Sequence, residues 1–195
     1  MVHRTSEDRQ NPTPEDVRIK LKELSSPMLQ TEYLENILKR MTVQQDVRIF
    51  AAKNLSDLYV RRGLWSTAAK ILDSAAEASE TFSERKSLFM GVGVYYIKAM
   101  EYMLADDAFR KALEAASPGE KARLSADIRN LFMQEADLLY KDAKIAKAAK
   151  LYERMLKTSS AASEKKKIME NLSFLYEKLA RISESIQMRE SAKNL

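Results

Sequence analysis

Apolar and small residues recur along this chain at the spacing of amphipathic helices. From Phe89 onward they follow one another at steps of three, one, three, four, five, four and three residues, ending at Ala112. Steps of three and four keep side chains on one face of an α-helix, so this stretch predicts a pair of packed helices. Its eight positions, which we call the repeat motif, are Phe89, Val92, Gly93, Tyr96, Met100, Ala105, Phe109 and Ala112.

The repeat motif occurs four times in the chain. Small and large residues recur in largely the same order, and successive copies lie thirty-seven, forty-three and thirty-seven residues apart. Small residues such as Gly93 and Ala136 let two helices approach closely, while Tyr59, Tyr96 and Tyr176 fill the space beside them. The first, third and fourth copies are Ala52, Leu55, Ser56, Tyr59, Gly63, Ala68, Leu72 and Ala75; Phe132, Glu135, Ala136, Leu139, Ala143, Ala148, Tyr152 and Met155; and Met169, Leu172, Ser173, Tyr176, Ala180, Ser185, Arg189 and Ala192.

This order of a large residue, a small residue, a Tyr, a turn and two Ala positions resembles the tetratricopeptide repeat (TPR) family. The resemblance covers residues 44–195. It implies an all-α fold, a right-handed helical-repeat solenoid of antiparallel helix pairs with about ten helices. Because the family period is about 34 residues, the longer spacing here predicts helices longer by a turn or more. In the fourth copy Ser185 and Arg189 replace apolar residues, which predicts a terminal helix with a polar outer face.

The predicted organisation is a mobile polar tail over residues 1–12 and a single TPR-like domain over residues 13–195. The domain comprises an N-terminal helical pair or cap, 13–42, and repeats at 43–80, 81–117, 118–160 and 161–195. Polar residues at the expected capping positions mark where helices start. These starts are Thr13 with Pro14 and Asp16, Thr31, Thr42 with Gln45, Thr81 with Glu84, and Ser117 with Glu120.

Composition agrees with this picture and excludes several function classes. Apolar residues make up 45% of the chain and charged residues 31%, a balance typical of amphipathic helices. There is no cysteine, which excludes disulfides and thiolate metal sites and fits a reducing compartment. Apolar runs are too short to span a membrane and the N-terminus is polar, so we expect no membrane span, no signal peptide and a cytoplasmic location.

Candidate chemistry is sparse. The only histidine, His3, lies in the predicted tail, so the domain offers no histidine base and no histidine-ligated metal. Gly91 and Gly93 lack the third glycine and the preceding strand of a nucleotide-binding loop. We therefore expect no catalytic residues, no cofactor and no metal, and we predict that the protein is not an enzyme.

The resemblance implies a binding surface, since the first helix of each TPR pair lines a concave groove that receives a partner segment. The sequence predicts an adaptor or scaffold that binds a peptide or an amphipathic helix of a partner protein there. Packing against neighbouring helices is the alternative role for the same residues. The groove candidates are Lys53, Asp57, Met90, Val94, Ile97, Lys98, Met133, Asp137, Lys141 and Phe174.

The net charge of +5 is concentrated in one segment. Residues 141–167 hold nine Lys and Arg against three Asp and Glu, a local charge of +6. Lys147, Lys150, Arg154 and Lys157 recur at steps of three and four, and we call these four residues the basic stripe. The stripe fits either a solvated helix face or a surface for nucleic acid or a ribonucleoprotein, which is the alternative function. The sequence defines neither the partner's identity nor the oligomeric state.

Overall fold

A computed structural model describes residues 12–159 and 161–195, and within these ranges all regular secondary structure is helical. The all-α prediction is confirmed. The ten helices of the described residues are α1 (Pro14–Glu23), α2 (Pro27–Lys39), α3 (Gln45–Arg61), α4 (Trp65–Ala78), α5 (Phe82–Lys98), α6 (Tyr102–Glu114), α7 (Pro118–Lys141), α8 (Ile145–Thr158), α9 (Ala162–Lys178) and α10 (Ile182–Lys193). The predicted tail over 1–12, with His3, lies outside the described residues except for Pro12, which is buried.

Two of the predicted helix starts need correction. Helix α2 begins at Pro27, four residues before Thr31, because the fixed φ of proline suits the first helical position and the Ser26 hydroxyl caps the amide of Leu29 at 3.3 Å. Helix α3 has Gln44 as its capping residue, with no side-chain capping bond, so the Thr42 start is wrong. The predicted capping box at Thr13 is confirmed, with both reciprocal hydrogen bonds formed.

The four copies of the repeat motif share one backbone turn. In the described residues, positive φ angles occur only at the fifth motif position: Gly63 (72°), Met100 (62°), Ala143 (58°) and Ala180 (57°). In each copy the next amide donates to the carbonyl of the residue five positions earlier, at 3.0, 2.9, 2.8 and 2.8 Å in chain order. This is the hydrogen bond of a Schellman helix end. Four helical hairpins with the same turn are therefore present where the repeat motif predicted helix pairs.

The described residues fall into two compact units, one ending at Leu124 and the other spanning Ser125–Leu195, with the division inside α7. In the first unit α3, α4, α5 and α6 pack consecutively, and α1 and α2 both pack on α3. In the second unit α8 packs on α9, and α9 packs on α10. The single continuous solenoid over residues 13–195 stays a prediction.

Small residues do allow close packing within the hairpins. A Cβ atom added at Gly93 would lie 2.3 Å from the Phe109 ring, so α5 and α6 approach as closely as they do only because Gly93 lacks a side chain. In the second unit Ser173 and Ser185 take this role, and their hydroxyl oxygens lie 3.0 Å apart in the core. Ser185 is 1% exposed, so its assignment to a polar outer face of α10 is wrong.

Candidate functional site

The groove candidates of the first unit are only partly accessible. Lys53 and Asp57 are exposed on α3, whereas Met90, Val94 and Lys98 are half-buried on α5. Ile97 is 3% exposed, because it lies one helical turn after Gly93 on the core side of α5. It therefore offers no surface to a partner, and its assignment to the groove is wrong.

Two of these accessible side chains already have partners within the first unit. The Lys53 ammonium pairs with Glu84 at 2.9 Å. The Tyr95 hydroxyl donates to the Asp57 carboxylate at 3.4 Å, a long and therefore weak hydrogen bond. Asp57 consequently keeps most of its accepting capacity for other groups.

A cleft of about 360 Å³ opens between α1, α2 and α3 in the first unit. Its lining combines an apolar floor, two amide side chains, three cations and one carboxylate. The floor residues are Leu21, Leu34 and Leu58; the amides are Gln30 and Asn54; the charged residues are Arg18, Lys22, Arg61 and Asp57. We call this site the α1–α3 cleft. It includes Asp57 from the predicted groove, while the contribution of α1 was not predicted.

The three cations of the α1–α3 cleft differ in how they are balanced. Arg18 pairs with Glu15 at 3.0 Å, and its guanidinium lies 5.5 Å from the centre of the Phe50 ring. Lys22 and Arg61 form no ion pair within ranges 12–159 and 161–195. With only Asp57 as a lining carboxylate, the cleft has an excess of positive charge. Anionic groups are therefore the ligands that it favours.

The amide side chains of the α1–α3 cleft are oriented by backbone carbonyls. The Gln30 amide donates to the carbonyls of Leu21 and Leu24 at 2.9 and 3.2 Å. The Asn54 amide donates to the carbonyl of Phe50 at 2.8 Å. Each amide keeps its carbonyl oxygen as an acceptor, which suits the N–H groups of an extended peptide. Apolar surface with a few placed polar groups is the usual make-up of a ligand site.

The groove candidates of the second unit differ in their exposure and in their partners. Lys141 is exposed and Met133 half-buried. The Asp137 carboxylate accepts the Tyr152 hydroxyl at 2.8 Å, and burial together with this bond raises the pKa of Tyr152. Asp137 thus has an internal role in the second unit.

Phe174 is the largest apolar side chain among these candidates and is 44% exposed. The centres of the Phe174 and Tyr140 rings lie 5.5 Å apart in an edge-on arrangement, and the Lys178 ammonium lies 5.3 Å from the centre of the Phe174 ring. Both contacts lie within the second unit and leave part of the ring accessible to a partner.

The basic stripe lies on the solvent face of α8, opposite the buried Ala148, Leu151, Tyr152 and Met155. Lys147, Lys150 and Lys157 are exposed and form no ion pair with any described residue, and Arg154 is half-buried. The acids of the same segment are engaged elsewhere, since Asp142 pairs with Lys144 at 3.0 Å and Glu164 pairs with Arg129 at 3.2 Å. The positive charge of the three lysines is therefore not neutralised locally.

The described residues contain no group of three or more His, Asp or Glu side chains placed to hold a metal ion. Burial and a hydrogen bond to Glu153 raise the pKa of Tyr176 to about 12, so this hydroxyl stays protonated near neutral pH. Across the described helices, none has the length and apolar character needed to cross a membrane.

Comparison with known proteins adds weak structural similarity. No family model matches the chain, and no curated protein matches it. Among solved structures the chain is similar to BtubC (BKLC) from P. vanneervenii at 14% identity, with a TM-score of 0.40, over 92% of this chain and 78% of that one. A TM-score of this size assigns neither a shared fold nor a function.

Proposed function

We propose that this protein is a non-catalytic, TPR-like adaptor that binds a segment of a partner protein in the α1–α3 cleft. The observation that carries the proposal is the combination of an apolar floor with Lys22 and Arg61, two cations that lack partners among the described residues. The repeated hairpin turn supports the TPR-like part of the proposal. The segment is acidic, because Asp57 is the one carboxylate that lines the cleft, and Lys22 and Arg61 have no ion pair among the described residues.

The chemistry of the α1–α3 cleft indicates which features the segment carries. Leu21, which is half-buried, favours an apolar anchor above the buried Leu34 and Leu58, since burying apolar surface contributes about 25 cal/mol per Å². Two carboxylates flanking that anchor complement Lys22 and Arg61, and exposed ion pairs of this kind contribute up to about 1 kcal/mol each. Charge complementarity of this kind sets specificity and speeds association.

The test is affinity capture from the source cell with nuclease present, using the wild type, Lys22→Glu with Arg61→Glu, and a control. The control is Lys39→Glu with Lys70→Glu, which carries the same charge change on exposed residues of α2 and α4 outside the cleft. We expect the cleft variant to lose the captured proteins and the control to keep them, with equal helicity in all three. Equal capture by both variants would contradict the proposal.

A second candidate function is the binding of nucleic acid or a ribonucleoprotein through the basic stripe. The observation in its favour is that Lys147, Lys150 and Lys157 have no ion-pair partner in the described part of the chain. Replacing all three with Glu is expected to abolish retention on RNA and DNA, and wild-type binding is expected to weaken steeply with salt. Unchanged retention in the triple variant would exclude this function.

A further inference from the structure

The junctions between successive hairpins use one arrangement of side chains. In each, a serine after the second helix donates to a glutamate in the first turn of the next helix, at 3.1, 2.7 and 2.8 Å in chain order. A cation from the preceding first helix pairs with the same glutamate. We call these sites the three joints: Ser79, Glu84 and Lys53; Ser117, Glu120 and Lys86; and Ser159, Glu164 and Arg129.

In the first two joints, hydrogen bonds favour the ionised form of the glutamate. The hydrogen bond from Lys53 holds the pKa of Glu84 below its usual range. Bonds from Lys86 and Ser117 lower the pKa of Glu120 to about 2. In the second and third joints the cation stands three positions before the first residue of its motif copy, whereas Lys53 of the first joint stands one position after Ala52.

Lys166 occupies the same place in the fourth copy. Lys86 and Arg129 each precede the first residue of their motif copy by three positions, and Lys166 precedes Met169 in the same way. Lys166 is exposed and has no ion pair among the residues that the structure describes. It lines a cleft of about 290 Å³ between α9 and α10, together with Phe174, Arg189 and Lys193 and with two carboxylates, Glu170 and Glu177. Glu177 pairs with Arg189, and Lys166 pairs with no described carboxylate.

The adjoining face of α10 is also open. Ile182, Ile186, Arg189 and Lys193 lie on one face of α10 at steps of four, three and four. Ile182 is 55% exposed and Ile186 is 51% exposed. We call this face, with Lys166, the α10 edge.

The same face is covered on two earlier second helices, α4 and α8. On α4 the residues at these motif positions are Trp65, Ala69, Leu72 and Ala76. Helix α5 packs on them, with the Trp65 and Tyr95 ring centres 6.1 Å apart and Leu72 against Gly91. On α8 the matching Ala149 and Tyr152 are buried, and α9 packs on that helix. A helix thus covers this face on α4 and on α8, whereas the isoleucines of the α10 edge are half exposed.

We propose that the α10 edge binds an amphipathic α-helix of another protein whose first turn carries a carboxylate for Lys166. Its apolar side covers Ile182 and Ile186, and a second carboxylate complements Arg189, which pairs internally with Glu177. The helix runs antiparallel to α10 and begins near Lys193, as α5 begins near the end of α4. This site lies in the second unit and is independent of the α1–α3 cleft.

A second copy of this chain fits the α10 edge less well. In an antiparallel pair of α10 helices, Ile182 of one copy would face Lys193 of the other, and Ile186 would face Arg189. Such a pairing buries Lys193, which has no ion pair among the described residues, against Ile182 without a carboxylate to neutralise it. An acidic amphipathic helix covers the two isoleucines with its apolar side and places carboxylates beside the cations of the edge. Charge complementarity therefore favours it.

The test uses a fluorescent peptide copying residues 161–178, which contains the chain's own covering helix α9, with the substitution Asn171→Glu. Glu164 of this helix pairs with Arg129, whose place in the repeat is taken by Lys166. Asn171 hydrogen-bonds to Tyr152, whose motif position is taken by Arg189 on α10, so the new carboxylate faces Arg189. The matched peptide carries Glu164→Lys and Asn171→Lys. We expect the acidic peptide to bind the full chain, and the basic peptide to bind about tenfold more weakly or worse.

Protein variants then locate the site. Ile186→Asp is expected to abolish peptide binding, and Lys166→Glu is expected to weaken it about tenfold. Lys166→Glu should also improve binding of the peptide that carries Glu164→Lys with Asn171→Glu, since the charge pair is restored in reverse. Lys39→Glu, on α2, should leave the dissociation constant unchanged. Circular dichroism checks that all variants keep their helicity.

Three outcomes would overturn the proposal. The acidic peptide shows no saturable binding, or Ile186→Asp leaves its dissociation constant unchanged. Alternatively, sedimentation shows that the wild type is a dimer and that Ile186→Asp makes it a monomer, which would assign the edge to a second copy. Loss of binding at the α10 edge with intact partner capture by the α1–α3 cleft would leave the proposed function standing.

Discussion

Helices α6 and α8 share their buried faces and differ in their exposed ones. Each is the second helix of a hairpin that follows the same turn. The buried residues at matching positions of the repeat motif are Ala105, Phe109 and Ala112 on α6 and Ala148, Tyr152 and Met155 on α8. On the exposed side, Asp107 and Glu114 of α6 occupy the positions that Lys150 and Lys157 occupy on α8. The charge is thus inverted at these two positions while the packing is kept, and Lys111 of α6 matches Arg154 of α8.

The two exposed faces also differ in how their charges are paired. On α6 the Lys111 ammonium lies 2.6 Å from Glu77 and 3.7 Å from both Asp73 and Asp107. The hydrogen bond with Glu77 raises the pKa of Lys111. On α8 the three lysines have no such partners in the described chain. Packing therefore constrains one side of each second helix, and the other side is free to acquire a binding role.

The largest expected effect concerns the shared packing. Gly93→Ala would place a methyl group 2.3 Å from the Phe109 ring, so we expect a loss of about 2 kcal/mol in the free energy of unfolding. Alanine already stands at the matching position of the third copy, Ala136. The Gly93→Ala variant therefore also tests whether the hairpin of α5 and α6 tolerates the residue that the third copy carries. Urea unfolding measures the loss. Gly119→Ala, with no atom within 4 Å, is the control and should be neutral or stabilising; an equal loss there would contradict the packing argument.

The shared turn gives the next effect. Met100 and Ala143 adopt φ angles of 62° and 58°, which cost a side-chain-bearing residue about 1 kcal/mol relative to glycine. Met100→Gly and Ala143→Gly should each raise the free energy of unfolding by about that amount, and Gly63→Ala should lower it by a similar amount. If thermal unfolding showed a gain in stability for one of Met100→Gly and Ala143→Gly and a loss for the other, the two turns would not be equivalent.

A smaller effect separates the exposed faces. Lys111→Met removes a half-exposed cation shared by three carboxylates, and we expect a loss below about 1 kcal/mol. Lys150→Met removes an unpaired cation and should change the free energy of unfolding by about zero. The difference should shrink in high salt, since screening weakens exposed ion pairs. Equal losses in both variants at low salt would remove the electrostatic contrast between α6 and α8.

The smallest effect is the response of the second unit to alkaline pH. The pKa of Tyr176 is raised from 10.0 to about 12, so its contribution to stability is fully present below pH 10 and is lost as pH rises towards 12. Tyr176→Phe should therefore reduce the drop in urea midpoint between about pH 9 and pH 11. A drop as steep as in the wild type would show that Tyr176 does not titrate with folding.

Much of the helical architecture could be predicted from the repeat motif, because helical period and hairpin turns are local properties. The start at Thr13 was predicted correctly for the same reason. The start at Thr42 failed, since Gln44 became the capping residue and the Asp46 carboxylate accepts the Val47 amide at 2.7 Å. Competition between nearby polar residues for the same backbone groups is hard to resolve from spacing alone.

The binding surfaces were less predictable, because they depend on which helices meet. Arg18 and Lys22 lie on α1, outside the repeat motif, and they reach the α1–α3 cleft only because α1 packs on α3. Val17 and Leu21 are four residues apart and share one face of α1, so their spacing could have been used to place the neighbouring cations beside a buried face. Ile97 was misassigned because a shift of one residue along a helix moves a side chain by about 100°.

The central claim is that the α1–α3 cleft binds an acidic segment, and the most direct measurement is the dissociation constant of that segment. Peptides tiling the captured partner are titrated by fluorescence anisotropy against the wild type, Lys22→Glu with Arg61→Glu, and Lys39→Glu with Lys70→Glu. The account predicts that the tightest peptide is acidic and binds the cleft variant more than about tenfold more weakly, with the control unchanged. Equal dissociation constants for the wild type and the cleft variant would contradict it.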